Sequence, residues 1–109
     1  MKVLITAGPT REPIDPVRYL SNRSSGRMGY ALAEAALILG HQVVLISGPV
    51  HISPPDGVTF HQIETAGEMH DAVQQVISSC DIAIFSAAVA DYRPVLAAAQ
   101  KIKKADSTL

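Results

Sequence analysis

Short runs of apolar residues recur along the chain and alternate with longer amphipathic segments. Three of these runs, at 3–7 (VLITA), 42–47 (QVVLIS) and 81–87 (DIAIFSA), are almost continuously apolar. Runs of this length and composition predict strands that are buried on both faces of a sheet. A further run at 58–63 (VTFHQI) mixes polar with apolar residues, and it predicts a weaker strand nearer the edge of the sheet.

Two amphipathic segments between the runs predict helices, because their apolar residues recur at spacings of three and four. The first helix is expected over 26–39, with Gly40 as its terminator. The second is expected to begin at Thr65, which forms a capping box with Glu68, and to extend to about residue 79. The positions expected to be buried are Met28, Leu32, Ala35, Ala36 and Leu39 in the first helix and Met69, Ala72, Val73, Val76 and Ile77 in the second.

Strands that alternate with helices at this spacing predict an α/β fold, a Rossmann-like and mainly parallel sheet with flanking helices. The 109 residues suit a single small domain. A content of 48% hydrophobic and 17% charged residues is that of a folded globular protein rather than a disordered one.

Charge, hydropathy and cysteine content narrow the classes of partner and the compartment. A net charge of −1 gives no strong attraction to nucleic acid or to a membrane surface. No apolar run approaches the length of a membrane span, and the first run is too short for a signal peptide. The single cysteine, Cys80, excludes an intrachain disulfide and fits a reducing compartment. We therefore expect a cytoplasmic protein that binds neither nucleic acid nor membrane.

Unusual polar segments follow three of the predicted strands, at 8–29, 47–48 and 86–93. In parallel sheets, ligands bind outside the carboxyl ends of the strands. This shared location predicts a ligand site at that edge of the sheet.

The first of these segments contains SNRSSGRMG at 21–29. Ser24 and Ser25 are favourable N-cap residues, and Gly26 lets a ligand approach the backbone. The start of a helix offers N–H groups and a positive dipole end to an anion. Arginines at 18, 23 and 27 add positive charge. Two interpretations stay open, an anion-binding site and a capped helix start with solvated arginines.

Just before it, Asp15-Pro16 resembles an N-cap followed by proline at the first helical position. The pair predicts a short helical turn over 17–20. If that turn continued, Arg18 and Asn22 would share one face.

The residues after the first two strands argue against a dinucleotide site. A G-x-G-x-x-G fingerprint would follow the first strand directly, whereas this chain has GPT at 8–10. The second strand ends in SGP at 47–49 and lacks the acidic residue that holds a ribose diol.

Two later segments have both a functional and a structural interpretation. In SAAVADYRP at 86–94, small residues at a strand end would let a ring lie on the backbone, and Asp91 could accept hydrogen bonds from ribose hydroxyls. The alternative is a tight turn with an Asp91–Arg93 contact. KIKK at 101–104 could close on phosphates, since lysine serves there as a point charge. The alternative is a solvated tail.

Candidate metal ligands are sparse. The four histidines show no ligand spacing such as H-E-x-x-H, so we expect no zinc site formed by protein ligands. Glu12 and Asp15 are loop carboxylates of the kind that could help hold Mg²⁺ on a nucleotide, although capping is the simpler role for Asp15.

Three segments in this order and spacing, ITAGPTREPIDPVRYLSNRSSGRMG, SAAVADYRP and KIKK, closely resemble the phosphopantothenate–cysteine ligase domain of coenzyme A biosynthesis, also called phosphopantothenoylcysteine synthetase. In many bacteria this domain is the C-terminal half of a bifunctional protein with a flavin-dependent decarboxylase. The resemblance covers essentially the whole chain. It implies CTP-dependent joining of 4′-phosphopantothenate and L-cysteine through an acyl-cytidylate, with Mg²⁺ accompanying CTP, in a homodimer.

The resemblance also implies roles for individual residues. Asn22 corresponds to the asparagine that handles the acyl-cytidylate, Arg18 to a second residue needed for activity, and Lys101 to a flap lysine on the triphosphate. The residues expected to contact the nucleotide are Gly8, Ser24, Ser25, Gly26, Phe85, Ser86, Ala87, Asp91 and Lys101.

The resemblance divides residues 1–109 into a nucleotide-binding core at about 1–94 and a flexible lysine flap at about 95–109. The family domain continues beyond KIKK, so we expect a truncated domain. No decarboxylase half or FMN is expected in this chain, because Met1 opens directly on the first strand. A non-catalytic nucleotide-binding fragment and, less favoured, an NAD(P)-dependent oxidoreductase stay open as alternatives.

Overall fold

A computed structural model describes residues 1–21 and 24–89, and the structural statements below concern that part of the chain. Its elements are β1 (Lys2–Ala7), β2 (Arg11–Pro13), β3 (Tyr19–Ser21), α1 (Arg27–Ile38), β4 (Gln42–Ser47), β5 (Thr59–Gln62), α2 (Ala66–Val76) and β6 (Ile82–Phe85), with a 3₁₀ turn at Ile77–Ser79. The main sheet has the order β5-β4-β1-β6, and all its strand pairs are parallel. The expected α/β fold is confirmed, with the weaker strand β5 at one edge.

Alternating side chains of the two central strands supply two hydrophobic layers, because successive residues of a strand point to opposite faces. On one face, α1 packs through Tyr30 and Ala33. On the other face, α2 packs through Met69 and Val73. The strand residues under α1 are Val3, Ile5, Ala7, Val43 and Leu45, and those under α2 are Leu4, Val44 and Ile46. None of the described helices is long and apolar enough to cross a membrane.

The buried face of α1 differs in part from the predicted one, because Leu32 and Ala36 pack against the core as predicted but Ala35 is exposed. Met28 and Leu39 are 70% and 75% exposed, whereas Gly29 and Tyr30 are buried. The reason lies at Gly29, where an added Cβ would overlap the Cβ of Ala7. Because the helix approaches β1 most closely at this glycine, it is turned so that Tyr30 and its neighbours one turn later face the sheet.

The capping box predicted for α2 is confirmed. Thr65 Oγ1 accepts a hydrogen bond from Glu68 N at 3.0 Å, and Thr65 N donates to Glu68 Oε1 at 2.9 Å. The backbone hydrogen bonds from Thr65 and Glu64 lower the pKa of Glu68 below its usual value. These reciprocal hydrogen bonds therefore fix the start of α2, and the segment of β2 and β3 is anchored to this start.

The helical turn predicted over 17–20 is wrong, because β2 and β3 form an antiparallel hairpin there. Asp15 Oδ1 accepts from Val17 N at 2.9 Å and from Arg18 N at 2.8 Å. These Asp15 contacts resemble those of a helix N-cap, but the chain turns back here because Arg18 O accepts from Ile14 N at 2.9 Å and β3 pairs with β2. The hairpin is held to α2 by Glu12, whose Oε1 accepts from Ala66 N at 3.0 Å.

Candidate functional site

An open cavity of about 850 Å³ lies at the carboxyl ends of β1 and β4. The hairpin, the segment before α1 and the loop after β4 enclose it. Its polar lining consists of Arg11, Ser21, Ser24, Ser25, Arg27 and His51, and Val50 contributes apolar surface. The cavity therefore occupies the edge at which the sequence predicted a ligand.

The described lining of this cavity is cationic and rich in hydroxyl groups. It includes two arginines, Arg11 and Arg27, and, among the described residues, no carboxylate. Guanidinium groups bind phosphate and carboxylate oxygens through directed N–H donors. The anion-binding interpretation of this loop is therefore the one that the geometry favours.

The helix start beside the cavity is built differently from the prediction. Gly26, not Ser24 or Ser25, is the N-cap of α1, with φ 77° and no side-chain cap hydrogen bond. Ser24 Oγ accepts from Gly26 N at 3.2 Å, and Ser25 Oγ accepts from Arg27 N at 3.4 Å. The serine hydroxyls thus shape the turn that precedes the helix, where a left-handed residue is needed. The first turn of α1 contains no acidic residue, so its positive dipole end adds to the potential of the arginines.

Gly8 contributes to the floor of the site. It is buried at the end of β1 with φ 75°, and a Cβ there would lie 3.0 Å from Val50 Cγ1. An added Cβ at Gly26 would also press on Val50, at 2.9 Å. Both glycines therefore let Val50 pack closely where it lines the cavity.

The site residues predicted at the end of β6 and directly after it lie apart from this cavity. Phe85 and Ala87 line a separate, more apolar groove of about 410 Å³ beside α2, together with Met69 and Val73. Ser86 belongs to the opposite face, where its Oγ donates to Thr6 O at 2.6 Å and lies 2.7 Å from where a Cβ of Gly29 would be. The described structure thus places Ser24, Ser25 and Gly26 at one site and Phe85 and Ala87 at another.

Arg18 lies at the hairpin and is held by Asp15. Its Nη2 is 3.0 Å from Asp15 Oδ2, and its side chain is 35% exposed. The remaining predicted residues Asn22, Asp91 and Lys101 lie outside the described residues, as do Arg93 and the KIKK segment.

Two lining residues were missed from the sequence. Arg11 reaches the cavity because β2 pairs with β3, with Arg11 opposite Ser21, and a strand of three residues has too little periodicity to be predicted. His51 follows the turn after β4, and the position of that turn at the carboxyl edge could have indicated it. Arg27, for which the sequence left both an anion-binding and a solvated role open, lines the cavity.

The carboxylates considered for Mg²⁺ do not fit that role in the described structure. Glu12 and Asp15 are both buried, and both accept hydrogen bonds from protein donors. The described residues contain no group of three or more His, Cys, Asp or Glu side chains that could hold a metal ion. No catalytic step is therefore assigned to a metal held by these residues.

The covered parallel sheet, with an arginine-lined cavity at the carboxyl ends of its strands, defines a Rossmann-like α/β domain. The whole chain, residues 1–109, matches the family described as DNA/pantothenate metabolism flavoprotein C-terminal domain. The chain belongs to this family, and the resemblance drawn from its sequence is confirmed at that level.

Curated relatives named CoaBC match nearly all of the chain. It is 58% identical over 106 residues to the coenzyme A biosynthesis bifunctional protein CoaBC of Vibrio vulnificus (strain YJ016), covering 97% of this chain and 26% of that protein. It is 53% identical over 105 residues to the CoaBC protein of Bacillus subtilis (strain 168), covering 95% of this chain and 26% of that protein. The chain thus spans about a quarter of the length of these relatives.

A solved structure agrees with these relatives. The crystal structure of the C-terminal domain of CoaBC superposes with a TM-score of 0.83 at 56% identity, covering 87% of this chain and 48% of that chain. The described fold therefore corresponds to about half of that chain.

Proposed function

We propose that this chain is the N-terminal part of a phosphopantothenate–cysteine ligase domain that uses CTP to join 4′-phosphopantothenate and L-cysteine in coenzyme A biosynthesis. The observation that carries the proposal is the arginine- and serine-lined cavity at the carboxyl edge, in a chain 58% identical to a CoaBC protein.

The proposed reaction has two steps. A carboxylate oxygen of phosphopantothenate attacks the α-phosphorus of CTP, forming an acyl-cytidylate as pyrophosphate leaves. The amine of cysteine then attacks the acyl carbon, forming the amide as CMP leaves and the amine loses a proton. Such chemistry needs little covalent help from the protein, but it needs aligned reactants and compensation for phosphate charge.

The cavity is suited to that task. Arg11 and Arg27 line it, and their guanidinium groups can donate directed hydrogen bonds to phosphate oxygens. Ser24 and Ser25 stand at the positive end of α1. We propose that these groups hold phosphate oxygens of the substrates. Mg²⁺ is proposed to enter with the phosphates of CTP, since the described carboxylates do not fit it.

The residues beyond this cavity complete the proposed site. We propose that Phe85, Ser86 and Ala87 lie along CTP, Asp91 contacts its ribose, and Lys101 closes on its triphosphate from a flap at about 95–109. Asn22 would handle the acyl-cytidylate. It lies in sequence between Ser21 and Ser24, and both of these serines line the cavity.

The oligomeric state and the cellular compartment are proposed by analogy with the family. We propose a cytoplasmic homodimer, with a flavin-dependent decarboxylase fused in the complete polypeptide.

A non-catalytic nucleotide-binding module is the second candidate. The observation that favours it is the limited extent of the match, because the chain corresponds to 26% of the length of its CoaBC relative. An NAD(P)-dependent oxidoreductase is not favoured. The position expected for a ribose-binding acid holds Ser47, whose buried hydroxyl accepts from Tyr30 Oη at 2.9 Å.

Ligand-dependent melting tests the nucleotide part of the proposal. With Mg²⁺ present, CTP should raise the Tm more than ATP or NAD does. Saturation at a hundredfold over Kd would stabilise the fold by about 2.7 kcal/mol, a shift of several degrees. Arg11→Ala and Arg27→Ala should each weaken CTP binding by about tenfold, the loss of one charge-assisted contact.

Lys2→Gln is the control for these variants. It removes one positive charge at the opposite end of β1, where Lys2 Nζ donates to Ser79 Oγ at 3.1 Å. This variant should bind CTP as the wild type does. Equal shifts with CTP, ATP and NAD, or equal losses in all three variants, would count against the cavity as the nucleotide site.

A further inference from the structure

We propose that Asp15 is a positioning residue of the ligase reaction, and that it acts by fixing the orientation of the Arg18 guanidinium. This inference rests on the proposed function and on the role in that reaction that the family resemblance implies for Arg18.

The two oxygens of the Asp15 carboxylate have separate partners. Oδ1 accepts from the backbone N–H groups of Val17 and Arg18, at 2.9 and 2.8 Å. Oδ2 accepts from the Arg18 side chain, from Nε at 3.2 Å and from Nη2 at 3.0 Å. One oxygen therefore shapes the turn, while the other contacts the guanidinium.

The turn has further support that does not involve Oδ2. The Arg18 carbonyl accepts from Ile14 N at 2.9 Å and from Asp15 N at 3.3 Å, and β2 pairs with β3 on either side. The reversal of the chain is therefore held by several hydrogen bonds besides the contact between Oδ2 and Arg18, and the separate consequence of that contact is the orientation of the Arg18 side chain.

Burial makes this contact rigid. The Asp15 side chain is fully buried, whereas that of Arg18 is 35% exposed. A buried carboxylate has little freedom to move, so it holds the Nε edge of the guanidinium while the side chain still reaches solvent. Pre-orientation of this kind improves alignment of reacting groups.

The net charge of the Asp15–Arg18 pair predicts which kinetic constant changes when Asp15 is replaced. Asp15 and Arg18 together are neutral, so the pair supplies oriented donors rather than net attraction for an anionic substrate. Loss of the orientation should therefore lower kcat more than it raises KM.

Asp15→Asn is the direct test, in the protein expressed from its complete gene. The amide oxygen still accepts from Val17 N and Arg18 N, but its NH₂ group then faces the guanidinium, donor against donor. We expect kcat for ligation to fall about tenfold or more and KM for phosphopantothenate to change less than about threefold. Glu12→Gln is the matched control, since it neutralises the other buried hairpin carboxylate, which binds Ala66 N rather than Arg18. It should leave kcat near that of the wild type.

Two further variants separate positioning from stability. Arg18→Lys keeps Asp15 and the positive charge but removes the planar Nε edge, so it should lower kcat as Asp15→Asn does, even if Asp15→Asn folds poorly. In an Arg18→Ala background, Asp15→Asn should lower kcat no further, because residues that act as one unit are not additive. An additive loss, or a loss of kcat in Glu12→Gln equal to that in Asp15→Asn, would overturn the proposal.

A spectroscopic measurement keeps this inference separate from the proposed function. The Nε–H proton of Arg18 should exchange slowly with solvent in the wild type and in Glu12→Gln, and about tenfold faster or more in Asp15→Asn. If the wild type forms no amide, the proposed function fails, and the exchange rate still decides whether Asp15 holds Arg18. Equal exchange in all three proteins would show that it does not.

Discussion

Replacement of Gly48 by alanine is expected to lower the free energy of unfolding by more than about 4 kcal/mol, among the largest effects of a single substitution. A Cβ at this position would overlap the carbonyl oxygen and carbon of Pro9, which are backbone atoms and cannot rotate away. The loop after β1 and the loop after β4 cross at this point, and only a residue without a side chain lets them touch.

The surrounding hydrogen bonds explain why the chain cannot easily shift. Gly48 N donates to Ala7 O at 3.0 Å, while Ala88 N donates to Gly8 O at 2.9 Å. Thr10 N in turn donates to Ala88 O at 3.1 Å. Moving Pro9 away from a new Cβ would break part of this network and the cavity beside it, so stability and ligand binding should fall together.

Gly40→Ala is the matched control for that substitution. Gly40 has φ 87° but no atom within 4 Å of an added Cβ, so alanine there carries only a backbone cost of about 1–2 kcal/mol. Urea denaturation of both variants makes the comparison. Gly48→Ala unfolding at the same or a higher urea concentration than Gly40→Ala would refute the crossing of the two loops.

Asn22→Asp is expected to let pyrophosphate leave but to slow amide formation by about 10²–10³-fold, the usual cost of removing a donor to a developing oxyanion. In the proposed second step, the attacked acyl group becomes a tetrahedral oxyanion. A neutral amide can donate to that oxygen, whereas a carboxylate has no N–H donor and repels it. Rapid-quench measurement of pyrophosphate and of amide in the same reaction separates the two steps.

A charge control belongs with this variant. Gln42→Glu adds the same negative charge at the first residue of β4, on the opposite edge of the sheet, and should leave both steps unchanged. Amide formation by Asn22→Asp at the wild-type rate would show that the role proposed for Asn22 is wrong.

The main sheet could be predicted because the physical signal is local. The central strands β1 and β4 are buried on both faces, so they read as continuous apolar runs whatever the rest of the chain does. The rotation of α1 could not be predicted in the same way. It depends on contact between Gly29 and Ala7, which are far apart in sequence.

The residues of the candidate site likewise divide into those that a local sequence signal predicts and those that depend on long-range contacts. Ser24 and Ser25 were predicted at the site because they stand at a recognisable helix start after the first strand. Arg11 was not predicted, since the hairpin that carries it is held by the long-range bond from Ala66 N to Glu12. Residues that are placed at a site by contacts between distant parts of the chain cannot be predicted from the local periodicity of apolar residues.

CTP-dependent amide synthesis, with the protein expressed from its complete gene, is the most direct test of the proposed ligase activity. The reaction contains CTP, Mg²⁺, 4′-phosphopantothenate and L-cysteine, and amide, pyrophosphate and CMP are measured together. Equal amounts of the three products are expected, and pyrophosphate without amide is expected when cysteine is left out. Failure to form amide in the presence of CTP, or amide formation without pyrophosphate, would contradict it.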